Sequence, residues 1–529
     1  MTSLVYALED VVKEFVQKYA GIIVGALSGF DRLIFRGYLR ELSYVRGLFM
    51  YLCWRKVPLT EFGRFARSLS EQVKRASTAE AARCKRPIIY LPSSRTDKDA
   101  IARTVREQDG IDEGLICVLS SVEPCRSFAI GCNPKTNRAE LLLRHRKCLF
   151  LYHYYMDPTF GFTHARIQTW LPLDIQIYIN GREWLARQMD THGLTYRRAD
   201  NCFVALQDVA SAQRLMDAQL RLNWPNHLDR LARCLNPAHN SLLASDRLHY
   251  YWTAYQSEWA TDIMFRDPQT LAEIYPRLVR HGVSAFSSPD VMRFLGGKVH
   301  GNFRGEIVSD FKNRPEGVRI KHRVGANSVK LYDKQGSVLR VETTINDADG
   351  IKVFRPKEGD PDGHRSWRPM RRGIADLHRR AEVSQATNQR YLHALTSADT
   401  SIALGELLCE LQRPVTWKAC RIRGLRPWSA DDLALLRTAN RGEFCLNGFR
   451  NRELQALLFD GKPQNSDERR RRSARVSRHI RLLRAHHLIQ KLPRSYRYRV
   501  TPKGRQIITA ILAAHDASLQ QLNDFAAAA

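Results

Sequence analysis

The clearest alternation of apolar and polar residues runs from Val318 to Ile345. Val318, Ile320 and Val324 alternate with Arg319, Lys321 and Arg323. Val329 and Leu331 alternate with Ser328, Lys330 and Tyr332, and Leu339 and Val341 with Arg340, Glu342 and Thr344. A period of two over each run predicts three strands, each with one apolar and one polar face. Gly325-Ala-Asn and Asp333-Lys-Gln-Gly-Ser read as turns by residue type. Keeping the apolar residues on one face sets the expected register. Leu331 then pairs with Leu339 and Val329 with Val341, which puts Lys330 opposite Arg340 and Ser328 opposite Glu342. In the first hairpin Val324 pairs with Val329 and His322 with Leu331. The polar face collects Arg319, Lys321, Arg323, Lys330, Tyr332, Arg340 and Glu342.

The rest of the chain divides by pattern into four further stretches. Residues 1–84 read as a helical region: Leu4, Leu8, Val11, Val12 and Phe15 have helical spacing, and Ser28–Arg36 is amphipathic and basic. Residues 85–244 read as a mixed α/β domain. Ile88–Leu91 and Leu115–Leu119 are buried strands around a helix at Asp97–Gln108. Extended runs follow at Leu141–Tyr155 and Phe162–Ile179, and a helix opens at Gly181. In the second extended run His164 and Arg166, then Asp174 and Tyr178, lie on a polar face, with His153 and Asp157 just upstream. That is a possible acid–base site or an ordinary solvent-facing sheet. Residues 245–365 form the β-rich basic domain that holds the three strands, and 366–424 a helical linker region. Residues 425–529 show helices near 429–439, 447–459 and 467–487, short strands at 489–491 and 496–500, and a helix that opens on Thr501-Pro. The expected fold class is α+β, multidomain.

Charge changes the picture. Lys and Arg number 83 against 54 Asp and Glu, a formal +29, so the chain needs an anionic partner to offset self-repulsion. No apolar run is long enough for a membrane span, and the N-terminus carries acids early, unlike a secretory signal. Eleven scattered cysteines without a CxxC pair argue against a disulfide framework or a zinc ribbon, and fit a reducing cytoplasm. No phosphate loop, dinucleotide fingerprint or zinc-protease helix occurs. Nucleic acid is the expected partner, with duplex DNA ahead of RNA or single strands; oligomeric state is not readable.

The order helix, helix, helix, basic hairpin, helix in 425–529 resembles a winged helix-turn-helix. Leu483-Arg-Ala-His-His-Leu-Ile-Gln-Lys through Tyr498-Arg-Val-Thr-Pro-Lys-Gly-Arg looks like the recognition-helix end and wing of MarR-type domains. The whole chain resembles uncharacterised bacterial proteins with such a domain. The resemblance implies a recognition helix whose N-terminal half enters a major groove. Arg471, Arg472, Arg475, Arg478 and His479 would face the nucleic acid, with Arg494 and Arg497 on the wing.

Ser328-Val-Lys-Leu-Tyr-Asp-Lys followed by Leu339-Arg-Val-Glu resembles a short pattern in rolling-circle replication initiators, over about 20 residues. There, acids around this hairpin help hold a divalent metal while a separate Tyr attacks the phosphodiester. The resemblance assigns Asp333 and Glu342 to metal binding. Seventeen His include no His-x-His pair, so any metal site rests on carboxylates, which suit Mg²⁺ or Mn²⁺ and not zinc. Glu258 and Asp262 share a face on either a helix or a strand and are the next candidates, and Tyr332 joins them as a possible catalytic residue. The polar face of the three strands is a candidate phosphate platform through Arg319, Lys321, Arg323, Lys330 and Arg340. The expected function is a site-recognising nucleic-acid-binding protein of a replicon or mobile element, with possible metal-dependent nicking. The alternative is a non-enzymatic winged-helix transcription regulator or a structured-RNA-binding protein.

Overall fold

The computed structural model describes residues 15–518, except 135–136, 236–237, 239–247, 285, 287, 296–305, 315–316, 358, 361, 397–403, 442–443, 445–447, 460, 462 and 493–494. Leu4, Leu8, Val11, Val12 and Arg494 lie outside the described residues. The chain mixes helix and strand and divides into two compact units, Met1–Glu273 with Lys312–Leu392, and Ile274–Phe311 with His393–Ala529. No described helix is long and apolar enough to cross a membrane.

The first unit is built on one large sheet. Its strands in chain order are β1 (Ile23–Leu39), β2 (Ile88–Leu91), β3 (Gly114–Asn133), β4 (Arg138–Asp157), β5 (Gly161–Gln168) and β6 (Ile175–Asn180). A separate hairpin, β7 (Tyr196–Ala199) and β8 (Cys202–Leu206), precedes β9 (Tyr250–Phe265). Then come β10 (Ile307–Arg314), β11 (Gly317–Val324), β12 (Asn327–Lys334) and β13 (Val338–Ile345). The spatial order is β10-β11-β12-β13-β9-β1-β6-β5-β4-β3-β2. β2 runs parallel to β3, and the neighbours from β11 through to β3 are antiparallel.

Three expectations change here. Residues 1–84 are not helical throughout, because β1 is a 17-residue strand at the centre of the sheet. Its alternation is broken by a bulge between Phe30 and Arg32, opposite Trp259 and Glu258. The extra residue leaves Phe30 and Leu33 on one face but three apart, and with Leu27 three before Phe30 the spacing imitates a helical stripe. The boundaries at 84 and 244 separate stretches of one sheet, since β1, β6 and β9 are hydrogen-bonded neighbours. The hairpin register is also displaced. Leu331 pairs with Val341, Lys330 with Glu342 and Tyr332 with Arg340, and in the first hairpin His322 pairs with Val329. Gln335 and Gly336 take left-handed backbone angles, φ 61° and 77°, so the turn closes at Lys334–Val338, later than a turn starting at Asp333. A slip of two residues leaves each side chain on its face.

Both faces of the sheet at β13, β9 and β1 are covered. On one, the helix Leu377–Thr396 is fastened by polar contacts. Asn388 Nδ2 donates to the carbonyls of Trp259 and Val341, Thr343 Oγ1 donates to Asn388 Oδ1 at 2.6 Å, and Trp259 Nε1 donates to Gln385 Oε1 at 2.6 Å. The main apolar core includes Leu27, Phe30, Leu33, Phe35, Ile177, Trp184 and Trp224, all at most 3% exposed, each contributing roughly 1.5–3 kcal/mol by burial.

In the second unit, the helices Ala430–Ala439, Asn451–Leu458 and Ser466–Ala485 are followed by the short antiparallel strands Ile489–Lys491 and Tyr498–Val500 and the helix Pro502–Asp516. Ser429 Oγ, Asn465 Oδ1 and Thr501 Oγ1 cap three of these helices by accepting backbone N–H groups. Leu435, Leu436, Phe449, Leu454, Val476, Leu483, Leu488 and Ile508 form their common core. A small hairpin, Val415–Trp417 with Cys420–Ile422, precedes them.

Candidate functional site

Where it runs over β13 and β9, the polar face predicted to look outward is buried. Arg340 is 1% exposed, Glu342 3% and Asp262 1%. The cover comes from the helix Gly181–Thr191 and from Asn201 in the β7–β8 turn. Asn180 caps that helix, its Oδ1 accepting from the N–H of Arg182 and Glu183. Gly181 permits the close approach to β1, because a Cβ there would stand 2.0 Å from the Phe30 carbonyl oxygen. The next residue, Arg182, is thereby held fully buried over β1 and β9.

A network of charges results. Arg340 donates to both oxygens of Asp262, at 2.5 and 2.9 Å, to Asp31 Oδ1 at 3.2 Å and to the Asn201 carbonyl at 2.8 Å. Arg182 lies 3.0 Å from Asp262 and 3.8 Å from Asp31. Lys330 Nζ donates to Glu342 Oε1 at 2.5 Å and lies 3.7 Å from Glu258. Tyr332 donates to Glu342 Oε2 at 2.6 Å. At the solvent edge Arg32, 45% exposed, lies 3.6 Å from Glu258 and over the Tyr178 ring. The bulge in β1 sends Asp31 and Arg32 to the same side of the sheet.

The structure thus brings together Glu258, Asp262, Lys330, Tyr332, Arg340 and Glu342 of the sequence-predicted residues, and adds Asp31, Arg32 and Arg182. Asp31 carried no motif; the only signal was its place between apolar residues three apart. Asp333 stands apart. It alternates with Tyr332 and lies on the face of Val329 and Leu331, opposite Leu339, so it does not share a ligand set with Glu342. Arg319 and Lys321 sit on β11 opposite Tyr332 and Lys330, and Arg323 is exposed. The register puts Glu342, not Arg340, opposite Lys330, which removes the like-charge pair the sequence suggested.

The two neighbouring glutamates are driven apart. Burial would raise Glu342, yet Lys330 beside it, the hydrogen bonds from Lys330 and Tyr332, and Arg340 hold it down at about 2. Glu258 is pushed up, first by burial and then by the Glu342 charge, against Lys330 and Arg32. Burial and the Glu342 charge raise Tyr332 well above a free phenol, so its proton is held. That is the opposite of what an attacking phenolate needs.

Asp31, Glu258 and Glu342 each bring an oxygen within 4.8 Å of the others, a hard-donor set of the kind Mg²⁺ or Mn²⁺ takes. The charges are already balanced, however. Asp31, Glu258, Asp262 and Glu342 are answered by Arg32, Arg182, Lys330 and Arg340, and Lys330 Nζ stands beside the two glutamates a metal would bridge. As arranged, the residues hold a cation of their own, the Lys330 ammonium, beside the triad.

The predicted polar face at 164–180 is also used internally. His164 stacks on Tyr178 at 5.0 Å, Arg166 donates to Glu123 and Tyr152, Asp174 pairs with Arg36, and Asp157 pairs with Arg230.

In the second unit the arginines predicted to face nucleic acid divide. Arg471 and Arg478 are exposed, and among the described residues no carboxylate pairs with them. Arg472 pairs with Glu468 at 2.6 Å and covers Phe459, and Arg475 pairs with Asp431 at 2.9 Å. His479 is half-buried, and burial lowers its pKa. Arg497 donates to the Gly448 carbonyl and reaches Glu453, which ties it to the start of the helix Asn451–Leu458. A cleft of about 760 Å³ opens on another side of the long helix, lined by Lys418, Arg450, Arg452, Arg481 and Arg484 with, among the described residues, no carboxylate. Sequence reading missed these residues because they come from three separate elements and share no local pattern. No protein-family model, curated protein or solved structure matches this chain.

Proposed function

We propose that this chain is a nucleic-acid-binding protein that recognises its site through a winged helix-turn-helix in residues 425–529, as a replication or mobile-element protein would. The observation that carries the reading is the long helix Ser466–Ala485, on which Arg469, Arg470, Arg471 and Arg478 are all exposed and, among the described residues, meet no carboxylate. Like charges on one helix repel, and phosphate groups along a duplex relieve that repulsion with release of counterions. The short ribbon Ile489–Lys491 with Tyr498–Val500 stands where a wing would follow a recognition helix.

The test is selection of bound fragments from a random duplex library by the full-length protein, repeated with Arg471→Glu, Arg478→Glu. Enrichment of a common sequence by the wild type, lost in the double variant, supports the reading. No enrichment and no duplex binding at any salt concentration refutes it.

A second reading, cleavage of the bound strand at the carboxylate network, is favoured by Glu258. A buried carboxyl group raised beside an ionised partner is the arrangement that separates acid from base roles. Labelled single- and double-stranded DNA and RNA, incubated with and without Mg²⁺ or Mn²⁺, decide it. Product that disappears in Glu258→Gln supports cleavage; absence of product throughout leaves the non-enzymatic regulator.

A further inference from the structure

The cleft of the second unit has features that a duplex-binding surface does not need. It lies between the helices Asn451–Leu458 and Ser466–Ala485, the ribbon and the hairpin Val415–Ile422. Its size, about 760 Å³, falls in the range of small-ligand pockets, roughly 300–1,000 Å³. A convex duplex does not enter such a space, whereas an unpaired nucleotide does.

The lining combines two chemistries. Lys418, Arg450, Arg452, Arg481 and Arg484 supply positive charge, and among the described residues no carboxylate lines the cleft. Trp417, Tyr496 and Tyr498 supply ring faces. Arg484 lies between two of these rings, 4.8 Å from the centroid of Trp417 and 5.7 Å from that of Tyr498. Lys418 lies 5.1 Å from the Trp417 ring. Tyr496 is 83% exposed, an unusual place for a tyrosine with no partner ring of its own. Lys491 approaches it at 5.7 Å, so this ring too has a cation at its side. At the wall, Asn451 Nδ2 donates to the Ser473 carbonyl at 3.1 Å and to Ser477 Oγ at 2.9 Å, which fixes the two helices against each other.

Cations that track a backbone and aromatic rings that take base faces are the two elements of single-strand recognition. We infer that this cleft holds the unpaired nucleotides of a single strand, with bases stacked on Tyr496 and Trp417 and phosphates held by the surrounding arginines. The inference rests on the nucleic-acid reading above and adds the strandedness: the same module meets a duplex through the exposed arginines of its long helix and an unpaired segment through the cleft. A site with a melted or looped segment beside a duplex suits it best.

The experiment uses the full-length protein and fluorescein-labelled oligo(dT), oligo(U) and a duplex, followed by anisotropy. The variants are Tyr496→Ala, whose side chain is exposed and leaves the core untouched, and Trp417→Ala. Stacking by one base predicts a roughly five- to hundredfold loss of single-strand affinity for each variant, with duplex affinity held within about twofold. Binding of oligo(dT) and oligo(U) alike marks recognition of base faces and backbone; binding of oligo(U) alone adds contacts to the ribose hydroxyl, and either result supports the cleft if the variants weaken it. Duplex binding with no single-strand binding, or single-strand affinity unchanged in Tyr496→Ala and Trp417→Ala, overturns the inference and leaves the duplex reading standing. No binding to any of the three overturns both.

Discussion

The buried charge network on the large sheet and the C-terminal cleft are both rich in arginine, yet they solve opposite problems. In the network each carboxylate meets a cation, and Arg340 and Asp262 are both 1% exposed. In the cleft Lys418, Arg450, Arg452, Arg481 and Arg484 meet no acid in the lining. Removing charge from water is costly, and a buried ion pair persists only where geometry and further hydrogen bonds compensate. The network meets that requirement internally, so it needs no ligand to be complete. The cleft's cations keep their contact with water, Lys418, Arg452 and Arg481 being exposed, and on the reading proposed above an outside anion joins them. Matched charge belongs to the architecture, and unmatched charge of one sign marks where a partner is expected.

The comparison is broken most directly at Arg340. Arg340→Met removes one partner and leaves Asp262 and Asp31 buried beside an apolar chain. A loss of about 3–5 kcal/mol is expected for a broken buried pair. Hydrogen exchange of peptides covering β9 and β13 measures it locally, and nucleic-acid binding by the C-terminal unit serves as the control. Unchanged protection of those peptides would show that the network does not hold the sheet.

Protonation tests the same network without mutation. Glu342 sits at about 2 in the folded protein against 4.5 for an ordinary glutamate. A lowered carboxyl contributes stability above its unfolded pKa and loses it as pH falls towards the folded value. The contribution, on the order of 3 kcal/mol, is therefore present at pH 5 and fades towards pH 2. Glu258, raised by burial, works the other way: its favourable contribution exists at low pH and is lost as pH rises through its folded pKa. The stability gap between the wild type and Glu342→Gln should narrow as pH drops from about 5 to about 2.5. A gap independent of pH across that window contradicts the assigned partners.

How much of this was legible in the sequence depends on what a pattern can carry. Period-two alternation located β12 and β13 and sorted Lys330, Tyr332, Arg340 and Glu342 onto one face. It could not fix the register, because a slip of two residues preserves both faces; the left-handed pair Gln335–Gly336 decides it. Nor could it tell a solvated face from one covered by a distant helix, since Arg182 and Asn201 are more than a hundred residues away in sequence from Arg340. The bulge that disguised β1 as a helix is the feature that turns Asp31 and Arg32 to one side. The cleft was illegible for a related reason, being assembled from positions 417, 450, 481 and 496.

The exposed half of the comparison is sharpened by salt. Arg471→Ala, Arg478→Ala should lower the slope of log affinity against log salt by about 2 if each arginine neutralises one phosphate. Between 50 and 200 mM salt that amounts to roughly a tenfold smaller loss of duplex affinity. Folding stability should stay within about 0.5 kcal/mol, because both side chains are exposed and, among the described residues, meet no carboxylate. Titrations at four salt concentrations suffice. An unchanged slope would place the duplex on another surface.

The smallest effect separates a self-sufficient network from a metal site. Lys330 Nζ lies 2.5 Å from Glu342 and 3.7 Å from Glu258. It therefore stands where a cation bridging those carboxylates would. Lys330→Met keeps an unbranched chain one atom shorter and removes its charge, leaving the cluster one negative charge in excess. Two hard oxygen donors then face a vacated position, with Asp31 within 4.8 Å. Mn²⁺ should now bind and stabilise the variant, by about 1 kcal/mol at fivefold the dissociation constant, and thermal unfolding with and without Mn²⁺ reads this out. The wild type should show no such stabilisation, because its ammonium already satisfies the site and cannot be displaced without desolvated charge being left behind. Stabilisation of the wild type by Mn²⁺, equal to or above that of Lys330→Met, would mean that the lysine yields to a metal, and the network would then belong with the cleft as a site completed from outside.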